Sequence, residues 1–321
     1  MIGEQKTEDR RQRFCRGCAA TDQQTARSAD NNLSAIICPL SSERGFTLVE
    51  MIMVIVITGI IGSMVAVFIR APVQQYMDIA RRADMTDVAD TALRRIGRDL
   101  RLALPNSVRV TVVGSDTYLE FLPSTGGGRY RADAAPSGAS AGCGGLAVDV
   151  LDFSAADNCF EVLGPMPPAF TGGESIVVYN LGVAGASAYD GTSRTTTAVA
   201  QAGNTITIGA PGKLFPFDSP SHRFQLVTTP VTYVCAPAAG GVGGTLTRWQ
   251  GYAIQAAQPT ALPSTGSPSS SVMAANVSAC SFSYDANVVA QRSGLVTMSL
   301  SVTRDGETAT LYSATHVSNV P

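Results

Sequence analysis

Histidine is almost missing from this 321-residue sequence, with His222 and His316 the only two, and tryptophan occurs once, at Trp249. An imidazole-based metal centre or a Ser-His-Asp triad would have to use one of those histidines, and neither sits in a diagnostic motif. Charge is scarce as well: charged residues make up 15% of the chain, and 23 basic against 25 acidic groups leave a net charge of -2. The clustered Lys/Arg footprint of a nucleic-acid binder is absent. Gly126-Gly127-Gly128 and Gly240-Gly241 lack the Lys-Ser/Thr that completes a phosphate loop. These absences favour a protein that is not an enzyme and takes no cofactor.

The seven cysteines divide unevenly: Cys15, Cys18 and Cys38 precede Gly45, while Cys143, Cys159, Cys235 and Cys280 follow it. Cys15-Arg16-Gly17-Cys18 has CxxC spacing, but no βαβ pattern surrounds it. If the segment up to Gly45 is removed and the remainder exported, four cysteines suit two disulfides. Three pairings are open, of which Cys143 with Cys159 and Cys235 with Cys280 close the shortest loops.

One long apolar run is present. Phe46 to Ile69 is 24 residues with a single ionisable group, Glu50. As a helix it extends roughly 36 Å, enough for a ~30 Å hydrocarbon core, and it exceeds the apolar core of an ordinary signal peptide. Arg44 and Arg70 flank it, and Arg10, Arg11, Arg13 and Arg16 favour a cytoplasmic position for the N-terminal segment. An acid inside the membrane costs about 2.5–3.5 kcal/mol unless it is partnered. No cation follows Glu50 within two turns, so its partner comes from the N-terminal side or from another molecule. Cleavage between Gly45 and Phe46 would create an α-amine four residues before Glu50.

Arg44-Gly45-Phe46-Thr47-Leu48-Val49-Glu50 resembles the cleavage and N-methylation motif of type IV pilins and pseudopilins. The resemblance implies that a prepilin peptidase cuts after Gly45, that Phe46 becomes the methylated N-terminus, and that Glu50 pairs with a neighbouring subunit's amine. It further implies other major and minor pilins, membrane lipid and an inner-membrane assembly platform as partners. The protein would be anchored in the bacterial inner membrane with its head in the periplasm before joining a surface pilus. Residues 1–45 would form the leader, longer than is usual in that family. The segments Tyr233-Val234-Cys235, Leu246-Thr247-Arg248 and the C-terminal stretch from Gly294 resemble the large minor pilins of the mannose-sensitive haemagglutinin pilus, the MshO type. A minor pseudopilin of a type II secretion system is the alternative within the superfamily. A membrane-anchored extracellular adhesin or enzyme is the alternative outside it.

Beyond Pro72, Tyr76, Ile79, Ala80, Ala83, Val88, Leu93, Ile96, Leu100 and Leu104 recur at helical spacing. Pro105 disfavours helix at the residue before it. The expected unit is one helix over 47–103, membrane-spanning over 46–69 and amphipathic over 70–104. Arg94, Arg95, Arg98 and Arg101 read as its solvated face. From Val108 the period becomes two. A hairpin is expected around Gly114-Ser115-Asp116, and strands over 146–153, 159–163, 175–181, 204–209, 223–229, 231–235, 245–254, 279–289, 294–303 and 307–317, with Asp305-Gly306 turning the last pair. The segments 123–145, 182–203 and 256–274 read as loops, with a weaker division near 210. A single long helix followed by a run of strands makes the fold class α+β, a pilin-like helix on an antiparallel β-rich head at 105–321.

The other candidate sites read as structural. Asp152, Asp157 and Asp190 have the character of turn aspartates rather than calcium ligands, and no metal is assigned. Phe215, Phe217, Trp249 and Tyr252 read as core aromatics rather than an adhesive patch.

Overall fold

A computed structural model describes residues 45–133, 150–167, 170–171, 173–284 and 293–321. The chain divides into two compact units, residues 1–64 and 65–321. Helix α1, Leu48–Leu100, begins in the first and ends in the second, with Pro72 inside it. Its last turn tightens: the amides of Leu102 and Ala103 donate to Asp99 and Leu100 three residues back, which satisfies helix-end carbonyls before Pro105.

Among the described residues fourteen strands follow. They are β1 (Arg109–Val113), β2 (Asp116–Phe121), β3 (Ser124–Tyr130), β4 (Cys159–Leu163), β5 (Ser175–Val178), β6 (Val199–Ala202) and β7 (Thr205–Ile208). After these come β8 (Arg223–Val227), β9 (Val231–Ala236), β10 (Thr245–Tyr252), β11 (Gly266–Ala275), β12 (Val277–Tyr284), β13 (Ser293–Arg304) and β14 (Glu307–Ser318). They form sheets ordered β1-β2-β9-β10-β11, β12-β13-β14 and β5-β8-β3-β4-β7-β6, and the named strand pairs are antiparallel throughout. The fold is α+β, as the periodicities indicated.

The first two sheets share a core with the second half of the helix. Met85, Ala89, Ala92, Leu93, Ile96 and Leu100 are buried at three- and four-residue spacing. They join Leu119, Phe121, Tyr233, Leu246, Met298 and Leu300 in one apolar cluster. The helix end is also fixed by polar contacts. Asp99 accepts from Tyr233 Oη at 2.7 Å and from Arg248 Nε at 2.9 Å. The buried stripe starts later than the sequence pattern implied. Tyr76 and Ile79 remain 73% and 68% exposed, and Ala83 is exposed, so these apolar positions find no partner among the described residues.

The third sheet is an insertion. Phe121 pairs directly with Val231, so the chain leaves at the end of β2 and returns at the start of β9. The described residues between build a core of their own around Tyr130, Phe160, Ile176, Ile206, Phe215 and Phe224, while Leu122, Val177, Ala188, Tyr189 and Val227 join Leu104 of the host in a smaller cluster. An insertion with adjacent ends adds little closure entropy to the host. The division expected near 210 is not present: β7 and β8 flank that position and belong to one sheet.

Three strands lie in segments read as loops. In β3 glycine is used for close approach. A side chain on Gly127 would stand 2.5 Å from the Phe224 carbonyl oxygen, and one on Gly128 would meet the Phe224 ring at 3.0 Å. The edge strand β11 is Ser-rich and contains Pro268, which only an edge tolerates. The short β6 pairs with β7. Of the expected strand 146–153, the described residues 150–153 belong to no strand, and the others lie outside the described residues.

A buried ion pair secures the junction of insertion and host. Glu120, fully buried, accepts from Arg109 Nε at 2.9 Å and from Tyr252 Oη at 3.1 Å. The Arg109 guanidinium donates to the carbonyls of Ala256 and Gln255 and stacks 3.6 Å from the Tyr189 ring centroid, and Tyr189 belongs to the insertion. Burial raises the Glu120 pKa, opposed by Arg109 and then by Tyr252. Between its unfolded and raised folded values the native state therefore holds the extra proton. The Glu120 contribution to stability then declines as pH rises through that window. Arg109→Met strands a buried carboxylate. Urea unfolding should show a loss of about 3–5 kcal/mol near neutral pH and a smaller loss in acid, where Glu120 is protonated.

Candidate functional site

The start of α1 is set by Thr47. Its hydroxyl accepts from the Glu50 amide at 3.2 Å, and its carbonyl accepts from the Met51 amide at 3.1 Å. Thr47 is thus the N-cap, and Thr47-Leu48-Val49-Glu50 follows the pattern of a capping box. Glu50 stands in the first turn, where the exposed amides of a helix favour negative charge. Among the described residues its carboxylate takes no ion pair and no hydrogen bond.

Phe46 lies just outside the helix and is 77% exposed. Gly45 precedes it in non-helical backbone. A side chain built there would meet nothing within 4 Å, and Gly45 is not among the positive-φ glycines. Among the described residues nothing makes use of the missing side chain at Gly45. From Phe46 to Ile69 all residues are exposed, and the helix contains a stretch long and apolar enough to cross a membrane. Its hydroxyls are satisfied internally: Thr58 Oγ1 donates to the Val54 carbonyl at 2.6 Å and Ser63 Oγ to that of Ile60 at 2.8 Å. Such back-bonding keeps both of these donors paired in hydrocarbon. Gly59 and Gly62 also face open space.

The comparisons with known proteins bear on this segment alone. The family model of the prokaryotic N-terminal methylation motif matches residues 40–66. No curated protein and no solved structure matches the chain. The motif supports a protein of type IV pilin or pseudopilin type, and with it processing by a prepilin peptidase and pilin partners in general. With one helix among the described residues long and apolar enough to cross a membrane, the chain has the makings of a membrane-anchored protein.

The remaining candidates are dispersed. Cys235 and Cys280 form a disulfide that ties β9 to β12 across two sheets. Cys159 is also disulfide-bonded, while Cys143 lies outside the described residues, as do Cys15, Cys18 and Cys38. Asp152 and Asp190 serve turns. Asp152 accepts from the Ser154 amide, which lowers its pKa, and Asp190 accepts from the amides of Thr192 and Gly185. Asp157 accepts from the amides of Asp152 and Cys159. Among the described residues no three His, Cys, Asp or Glu side chains gather as a metal site. His222 sits at φ 51° with its ring 5.7 Å from that of Tyr130 and 3.4 Å from Asp218, and His316 is an exposed residue of β14. Phe215 and Tyr252 are fully buried and Trp249 is half-buried against Tyr118, but Phe217 is exposed. On the helix Arg94 pairs with Asp90 at 2.6 Å, Arg95 and Arg98 are exposed, and Arg101 is exposed in the turn just past it.

Sequence reasoning missed the cap. Its signal was legible in Thr47 and Glu50, three residues apart at the head of an apolar run. Thr47→Ala should cost the first turn about 1 kcal/mol. Hydrogen exchange in detergent micelles would then show faster exchange at the Glu50 and Met51 amides, with the 85–100 stretch unchanged.

Proposed function

We propose that this chain is a minor type IV pilin, of the type that serves the mannose-sensitive haemagglutinin pilus. In this reading it acts as a structural subunit and not as an enzyme, and it uses no cofactor. It is inserted in the inner membrane, cut by prepilin peptidase between Gly45 and Phe46, and taken into the pilus or its initiating complex. The observation that carries the reading is a fully exposed apolar stretch of helix over 46–69 whose one carboxylate has no partner among the described residues, a turn beyond a glycine for which those residues have no use.

Each residue then has a physical task. Gly45 lets extended backbone enter a protease cleft without steric conflict. Thr47 starts the helix immediately after the cut, which leaves Phe46 and its new amine outside the first turn. Glu50 seeks that cation on a neighbouring subunit, so a stagger that leaves it alone in hydrocarbon is penalised by about 2.5–3.5 kcal/mol. Resemblance in the head supports the finer assignment. Tyr233-Val234-Cys235 and Leu246-Thr247-Arg248 are cross-strand partners in β9 and β10, with Leu246 opposite Cys235 and Arg248 opposite Tyr233.

The experiment is a pair of chromosomal substitutions read by immunoblot and by recovery from sheared filaments. Gly45→Leu should leave the precursor uncut. Glu50→Ala should be cut normally yet recovered from filaments at a small fraction of the native level. Native incorporation of Glu50→Ala would remove the role given to the carboxylate. Recovery with secretion components instead of pili would transfer the protein to the pseudopilins.

A further inference from the structure

The β13–β14 hairpin lies along α1. Arg82 reaches Glu307 at 3.1 Å near its turn, and fifteen residues further along the helix a side chain on Gly97 would stand 2.9 Å from Thr315 Oγ1. Those fifteen helical residues span about 22 Å, and the eight strand residues from Glu307 to Thr315 span about 27 Å. The strand therefore runs beside the helix in the same direction. Ala309, Leu311 and Val317 pack into the shared core, which places one face of β14 on α1.

The outer edge of β14 is a different surface. Among the described residues β14 is the last strand of its sheet, bonded only to β13. The twelve β13–β14 pairs run from Ser293–Ser318 to Arg304–Glu307 without a bulge. β14 contains no proline and no lysine. Bulges, prolines and lysines are the usual devices that keep an edge from accepting another strand, and this edge has none of them. A groove of about 520 Å³ opens beside it, lined by Ser313, Ala314 and Thr315, by Arg94 and Arg98 of α1, and by Arg101 in the turn that follows the helix. Consecutive strand residues point to opposite faces. Ser313 and Thr315 share the face turned to α1, so Ala314, on the other face, reaches the groove through its backbone.

The opposite wall is basic. Arg94 and Arg98 stand one turn apart on α1, about 6 Å along its axis, and Arg101 follows in the turn just past the helix end. Arg98 and Arg101 take no ion pair among the described residues. Side chains on one face of an added strand repeat every ~6.8 Å, close enough for flexible guanidinium groups to meet alternate carboxylates. Twofold pairing of two β14 edges would instead set one arginine row against its own copy, so the charge disfavours a second molecule of this chain.

We infer that the groove between α1 and the β14 edge receives an extended strand of a partner protein whose alternate residues are acidic, added as a fourth strand to the β12-β13-β14 sheet. Main-chain bonds to β14 would give affinity, and the arginines would set register and choice of partner. This inference stands apart from the pilus assignment, because it concerns a surface that the N-terminal motif does not touch.

The test uses the purified full-length chain in nonionic detergent and a fluorescent peptide of alternating Thr and Glu, followed by anisotropy. The peptide should bind, and Arg98→Glu with Arg101→Glu should weaken it by about tenfold or more. Both arginines are exposed, and an unchanged near-ultraviolet circular dichroism spectrum would confirm that the variant is folded. N-methylation of alternate peptide amides, which keeps every charge but removes main-chain donors, should abolish binding. The inference is overturned by absence of binding, by equal binding of the N-methylated peptide, or by equal competition from a single-stranded oligonucleotide, since each of the last two marks a simple polyanion site.

Discussion

A carboxylate placed one turn into an otherwise apolar helix is the constraint around which the rest of this protein is arranged. In water Glu50 would be unremarkable, because it sits where the amides of a helix start favour negative charge. In hydrocarbon it demands a cation, and its own helix has none nearby on the C-terminal side. Only the N-terminal direction or a neighbouring molecule can supply one. Thr47 sharpens this requirement: by capping the helix it fixes the first turn and leaves Phe46 just outside it. A membrane segment that is stable alone in lipid has no need of such an acid. One that must find its register against copies of similar helices does.

The second half of the same helix meets a conventional demand. Met85 to Leu100 bury a stripe against two sheets, Asp99 binds Tyr233 and Arg248, and the disulfide between Cys235 and Cys280 links those sheets. Between the exposed apolar run and the packed stripe, Val73, Tyr76, Met77 and Ile79 remain open. The helix thus carries apolar surface past the end of its membrane-spanning stretch. In a filament subunit that surface is available to neighbouring helices. The inserted sheet shows how a head can grow without disturbing this arrangement, since its ends meet at the paired residues Phe121 and Val231 and Arg109 seals the seam.

Much of this was legible in the sequence, and the failures have identifiable causes. The helix, its end before Pro105, and the Asp305-Gly306 turn follow from local rules; both turn residues adopt the positive φ that such a hairpin requires. β3 was illegible because Gly126 to Gly128 form a strand only by virtue of the Phe224 strand laid against them. Ser-rich β11 likewise owes its extension to β10. Tyr76 and Ile79 fitted the helical period but lack a partner, since periodicity marks an apolar face without saying what covers it. The insertion is a relation between residues about a hundred positions apart, and composition near 210 could not disclose it. At the site itself, Gly45, Phe46 and Glu50 were visible as a pattern. The structure adds that Gly45 has no structural duty among the described residues and that Thr47 caps the turn between them.

The central claim is that the chain is remade at its N-terminus so that a new cation can meet Glu50. Intact-mass and N-terminal peptide mass spectrometry of the protein isolated from membranes tests it most directly. The account requires a mature chain that begins at Phe46 and carries one methyl group on its α-amine. A membrane-resident chain that retains Gly45 and the residues before it, with an unmodified terminus, would contradict it.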